Sequence, residues 1–176
     1  MLECMRRPVL LALLPVLAGC ALVGSKASPP PSPYCRPDDP LAGVYHPSRL
    51  HVRSRCAVAT GVVDKVKFED FDGDVHIDLR LDDQSSRLLS SGNDQVGGDL
   101  VVEVIPQDRS RVAIPDVGAT VTVVGPWVDD EAHGWREIHP AWWISAGHVL
   151  PATPRELERV NTLLHGRGNE AAVEED

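Results

Sequence analysis

The stretch that decides the fold is Val75 to Leu81, which reads VHIDLRL. Apolar and polar residues alternate strictly along it, so one face of the segment is apolar and the other is polar, as in a half-buried β-strand. The preceding turn, Glu69 to Asp74, contains Asp72-Gly73, a pair typical of β-hairpins. We therefore predict a hairpin with one face in the core.

The same period of two recurs in four further segments, which predicts a small all-β domain of five strands. They are 57–68, 100–105, 120–128 and 135–144. Gly61 predicts a bulge or a sharp bend in the first strand. The loop at 82–99 is rich in serine and glycine, so we expect it to be polar and mobile.

The end of the chain carries a helix-start pattern. Thr153-Pro154-Arg155-Glu156 is a capping box with proline at the first helical position. We expect a helix at 151–166 that ends at Gly166 and buries apolar residues on one face. Residues 167–176 are acidic and are expected to form a disordered tail.

The five segments resemble an OB-fold. The resemblance depends on the glycine-bent first strand and on a P-x-x-G-x-x-V-x-V-x-G pattern that begins at Pro115. The HGWREIHP motif, His133 to Pro140, and the VEVIP motif, Val102 to Pro106, are similar to motifs of uncharacterised exported bacterial lipoproteins. The resemblance implies an all-β fold, a small five-stranded OB-fold-like barrel at 35–150 with a C-terminal helix. The competing topology is a small open β-sandwich. The resemblance implies no reaction.

The N-terminus indicates export. Arg6 and Arg7 precede an apolar run at 8–17 that is too short to span a bilayer as a helix. The run ends in Leu17-Ala18-Gly19-Cys20, which resembles the lipobox of bacterial lipoproteins. We expect a signal peptide at 1–19, acylation of Cys20 and a flexible, proline-rich linker at 20–34. The alternative is a buried apolar helix that ends in cysteine, and either Met1 or Met5 is the start.

The cysteines agree with this location. Cys4 leaves with the signal peptide and Cys20 carries lipid, so Cys35 and Cys56 are the two remaining thiols. In the oxidising cell envelope such a pair is most simply a disulfide. Two free cysteines are the alternative.

Charge excludes one class of partner. The chain has 17 basic and 26 acidic residues, a formal net charge of −9. Nucleic acids and anionic surfaces select basic patches, and the predicted loops 69–74 and 129–133 are both acidic, so we expect no nucleic-acid partner. Membrane attachment would come through the lipid of Cys20.

Histidine and carboxylate residues mark a candidate site. His76, Glu103, Glu137 and His139 lie on polar strand faces, and together they could hold a divalent metal such as zinc or manganese. His133 and Trp135 are candidates for a ligand-binding face. The alternative is an ordinary solvated strand face, with Glu137 paired to an arginine. Asp70-x-Asp72-x-Asp74 lacks the glycine spacing of a calcium loop, so we interpret it as a hairpin tip.

These patterns predict a lipid-anchored envelope protein that acts as a non-catalytic binding or structural module. Its partner would be an envelope protein or glycan. No G-x-S-x-G motif is present, which gives nucleophilic catalysis no support. The alternative is a metal-dependent hydrolase. The sequence leaves open whether the anchor lies in the inner or the outer membrane.

Overall fold

The computed structural model describes residues 31–165. The predicted signal peptide at 1–19, the acylation of Cys20, most of the linker and the acidic tail at 167–176 lie outside the described residues. Six strands and one α-helix follow in chain order: β1 Leu50–Phe68, β2 Val75–Leu81, β3 Leu100–Val104, β4 Thr120–Asp130, β5 Arg136–Ile138, β6 Trp143–Ile144 and α1 Pro154–His165.

Five of the strands pair in a closed ring. The order is β1-β2-β3-β5-β4, and β4 pairs again with β1, while β6 pairs with β4 at Val123 and Val124, ahead of the part that pairs with β5. All pairings are antiparallel except that of β3 with β5. The ring and the C-terminal helix confirm the predicted small, barrel-like, all-β fold.

The long strand β1 makes this closure possible because it pairs with β4 over residues 50–62 and with β2 over residues 61–68. The two ladders overlap at Gly61 and Val62. A Cβ atom on Gly61 would lie 2.4 Å from the carbonyl oxygen of Arg80, so only glycine permits this close approach. Gly61 is therefore required for this close approach, while the register irregularity of the pairing with β2, predicted at Gly61, lies two residues later, between Val63 and Lys65.

The main core fills the inside of the ring. It consists of the apolar residues that alternate along the strands, with others from the loops. A smaller cluster lies on the opposite face of the sheet, because Ile105 and Val128 each follow a residue that packs toward the main core. Val44 and Leu50 complete this outer cluster, so the segment before β1 packs over the outer face.

A disulfide fixes that segment. Cys35 and Cys56 are bonded, as predicted, and the bridge closes the stretch 36–55 against β1. Tyr34, within the expected linker, stacks on Trp143 with ring centroids 4.1 Å apart. Packing against the domain therefore begins before Cys35.

Two predicted elements differ from the structure. The expected strand at 135–144 is split into β5 and β6, because Pro140 has no N–H to continue the ladder. The expected mobile loop at 82–99 contains 3-10 helices at Ser86–Leu88 and Ser91–Val96. Asn93 is fully buried there and donates hydrogen bonds to the carbonyl oxygens of Asp99 and Arg136.

The helix α1 begins with the predicted capping box. The main-chain N–H of Thr153 donates to Glu156 Oε2 at 2.6 Å, and that of Glu156 donates to Thr153 Oγ1 at 3.3 Å. Val160 is the buried residue of the helix. Within 31–165, no helix combines the length and the apolar character that a membrane span requires.

Candidate functional site

A polar cluster lies on the outer face of β2, β3 and β5. The inward residues of these strands, such as Ile77, Val102 and Ile138, belong to the main core. Strand alternation therefore turns His76, Glu103 and Glu137 outward. The register of the strands also brings these three residues close together. His76 lies directly opposite Glu103, and Val101, two residues before Glu103, pairs with Glu137. The cluster is thus a product of sheet register and not of local sequence alone.

The cluster contains two short chains of contacts. In the first, Trp135 Nε1 donates to Glu137 Oε2 at 2.9 Å, and Glu137 Oε1 lies 2.9 Å from Nδ1 of His139. In the second, His76 lies 2.7 Å from Asp78 through Nε2 and 3.2 Å from Glu103 through Nδ1. Glu137 is therefore held by an indole and an imidazole, and not by the arginine that the ordinary-strand alternative required.

Asp74 joins the cluster from the end of the hairpin turn. Its Oδ2 atom lies 3.4 Å from Nε2 of His139. Both atoms are buried and have no hydrogen-bond partner. Oxygen or nitrogen atoms of Asp74, Glu103 and His139 all lie within 4.8 Å of one another, which is close enough for all three residues to hold one metal ion.

Burial of this cluster is nearly complete. The exposed fraction is 2% for Asp74, 8% for Glu103 and 1% for both Glu137 and His139. An ionisable group in such a place loses the hydration that it has in water, so it must find compensation from its neighbours. The expectation of a solvated polar face is therefore wrong at Glu137 and His139.

The pKa values in the cluster are displaced in opposite directions. Burial raises the pKa of Asp74 to about 8, against the opposing influence of His139. Burial also opposes ionisation of Glu103, but the hydrogen bond from His76 and the charge of His139 outweigh it and lower the pKa of Glu103 to about 2. Within one cluster, Asp74 is thus driven toward its neutral form and Glu103 toward its ionised form.

The two histidines respond to the same surroundings. Burial favours the neutral form of His76, but its contacts with Glu103 and Asp78 outweigh burial and raise its pKa to about 8. Burial likewise acts against the charged form of His139, yet its contacts with Asp74 and Glu137 raise its pKa well above the ordinary value of 6.5. Acidic groups outnumber basic ones around both rings.

His133 and Trp135 form the rim of the cluster. Their rings stack with centroids 4.4 Å apart, and the His133 side chain is 43% exposed. Nδ1 of His133 lies 2.8 Å from the buried Asp130, which also contacts Arg49 at 3.2 Å. The indole of Trp135 therefore links an exposed ring to buried Glu137.

The structure brings all four residues of the predicted metal site, His76, Glu103, Glu137 and His139, into this cluster. Sequence reasoning missed Asp74 because it assigned the whole acidic triplet to a hairpin tip. The sequence did contain a sign of this role. Asp74, His76 and Asp78 occupy alternate positions, so they share one face of an extended chain.

Comparison with protein-family models and with curated proteins gives no match for this chain.

Proposed function

We propose that this chain is an exported lipoprotein, anchored in the bacterial envelope through acylated Cys20, whose β domain is a non-catalytic binding module. The observation that carries the proposal is the disulfide between Cys35 and Cys56. Disulfides persist in oxidising compartments and are rare where cytosolic reductants act. This bond agrees with the compartment that the lipobox at Leu17–Cys20 indicates.

The buried cluster supports binding in preference to hydrolysis. A hydrolytic metal centre keeps one coordination position open to water and substrate. Glu137 and His139 are each only 1% exposed, so bulk water and a large substrate do not reach them. A closed arrangement of this kind suits a bound small ligand or a structural role better than the metal-dependent hydrolase.

Charge restricts the partner of the module. The turn at 69–74 and the loop at 129–133 carry seven acidic side chains, of which those of Asp74 and Asp130 are buried. These turns belong to the two hairpins beside the cluster, so an anionic partner would meet repulsion there. We expect an uncharged or cationic surface of an envelope protein or glycan, and no nucleic acid.

The test of anchoring uses the full chain in a bacterial host that is fed labelled palmitate. Wild type should carry label and fractionate with membranes, while Cys20→Ser should lose both properties. Cys4→Ser is the matched control, since Cys4 lies before the cleavage point and its loss should leave labelling unchanged. Equal labelling of Cys20→Ser and wild type, or an unlabelled wild type, would overturn the proposal.

A further inference from the structure

We propose that Asp74, Glu103 and His139 bind one divalent transition-metal cation, with Zn²⁺ as its best representative. The inference deepens the proposed function by naming a ligand of the binding module. It depends on the proposed function only for the compartment in which the protein would encounter the cation.

The three proposed ligands come together from separate parts of the fold. Asp74 ends the first hairpin turn, Glu103 lies in β3 and His139 follows β5. Their donor atoms nevertheless lie within 4.8 Å of one another, and all three residues are buried. One imidazole with two carboxylates is a donor set that suits zinc.

Two buried atoms of the proposed ligands lack hydrogen-bond partners. Asp74 Oδ2 and His139 Nε2 are buried and face each other at ion-pair distance, but neither atom makes a hydrogen bond. Buried polar atoms in folded proteins are nearly always satisfied, so two such atoms in contact call for an explanation. A cation bound by both would satisfy them together.

The distance between these two atoms also fits a shared metal ion. Zinc lies about 2.0 to 2.2 Å from nitrogen and oxygen ligands, so two ligands of one tetrahedral ion are about 3.4 Å apart. The measured separation of His139 Nε2 and Asp74 Oδ2 is 3.4 Å. That separation is long for a direct hydrogen bond and fits a shared ion.

Neighbouring residues hold the proposed ligands in position. Histidine ligands of metals characteristically donate their second ring nitrogen to a carboxylate, which fixes the ring and directs the other nitrogen to the metal. Glu137 takes this position at Nδ1 of His139, and Trp135 in turn holds Glu137. His76 holds Glu103 in the same manner. Glu137 and His76, predicted as ligands, are thus positioning residues in this proposal.

The experiment measures metal on the full chain, purified without a histidine tag and without chelator. Mass-spectrometric elemental analysis should find about one zinc ion per chain. After removal with chelator, titration with Zn²⁺ should restore it, and the melting temperature should rise. Mn²⁺ and Ca²⁺ are titrated in parallel, and we expect both to bind more weakly than Zn²⁺ because of the imidazole ligand.

The variants separate ligands from neighbours. Asp74→Asn and Glu103→Gln keep the shape of each side chain and should weaken Zn²⁺ binding by at least about 100-fold, while Glu137→Gln should weaken it by about 10- to 100-fold. Asp70→Asn, in the same hairpin turn as Asp74 and exposed, should bind Zn²⁺ as wild type does.

Two results would overturn the proposal. The first is a folded wild-type chain that holds neither Zn²⁺ nor Mn²⁺ after purification or titration. The second is an Asp74→Asn chain that binds Zn²⁺ as tightly as wild type. Because both are measured on purified protein, they are distinguishable from a failure of anchoring, which is read from palmitate labelling of Cys20.

Discussion

Oε1 of Glu137 lies 2.9 Å from Nδ1 of His139, and both side chains are 1% exposed. The pair is therefore almost completely removed from water. The pair fixes the orientation of the His139 ring, so Nε2 faces Asp74. The orientation of the His139 ring toward Asp74 therefore depends on Glu137.

Removal of Glu137 should be strongly destabilising. Glu137→Ala leaves the His139 ring and the Trp135 N–H without their buried partner, and loss of one member of a buried pair costs about 3 to 5 kcal/mol. The free energy of unfolding in urea measures the loss. The control is Glu131→Ala, because Glu131 pairs with His51 in full view of solvent and should cost at most about 1 kcal/mol. Equal losses in the two variants would show that Glu137 has no special role.

The disulfide should contribute to stability through the unfolded chain. Cys35 and Cys56 are 21 residues apart, and closing such a loop is worth about 3 kcal/mol in the chain-entropy model. The double variant Cys35→Ser/Cys56→Ser should lose about that much, measured by urea unfolding, and reduced wild type should behave like it. An unfolding midpoint that reduction does not change would contradict this expectation.

Asn93 should be essential for the order of the 82–99 segment. Its side chain donates to the carbonyl oxygens of Asp99 and Arg136 and accepts from the main-chain N–H of Ser90 and Arg136. Asn93→Ala leaves several buried groups unpaired, and we expect a loss of about 2 to 4 kcal/mol with faster hydrogen exchange in this segment. Asp94→Ala, exposed in the same 3-10 helix, should change stability by no more than about 0.5 kcal/mol. Identical exchange rates in the two variants would be inconsistent with this role.

The cap of α1 should give the protein an acid-sensitive component of stability. The hydrogen bonds with Thr153, and secondarily the ion pair with Arg109, lower the pKa of Glu156 from 4.5 to about 2. A lowered pKa in the folded state stabilises the fold above the unfolded value, and that stabilisation is lost as the pH falls from 4.5 to about 2. Glu156→Gln should therefore unfold with a flatter pH dependence in this window.

Glu158→Gln is the matched control for the cap, since Glu158 is an exposed residue of the same helix. Its pH dependence should follow that of wild type. Unfolding in urea at several pH values provides the measurement. If Glu156→Gln keeps the wild-type slope between pH 4.5 and 2, the lowered pKa of Glu156 does not contribute to stability.

Much of the fold was predictable because local patterns agree with the final structure. The alternation in Val75–Leu81 appears unchanged as β2, and the pattern at Thr153–Glu156 appears as the cap of α1. The expectation of an oxidising compartment, together with the count of remaining cysteines, also sufficed to predict the disulfide. In each case the physical cause lies within a few residues or in simple counting.

The predictions failed where contacts between distant parts of the chain determine the structure. Asn93 is buried because hydrogen bonds to a distant strand satisfy its amide, and serine- and glycine-rich composition alone gives no sign of this. The role of Asp74 depends on the distance to His139, which is 65 positions later in the chain. Strand alternation identified which residues share a face, but only the ring of strand pairings shows which faces meet.

The most direct test of the central claim is the intact mass of the protein purified from bacterial membranes without reductant. The account predicts a chain that begins at Cys20, carries added acyl mass on that residue and gains two hydrogens when the bond between Cys35 and Cys56 is reduced. An unprocessed chain of 176 residues, without lipid and with free thiols in the soluble cell interior, would contradict it.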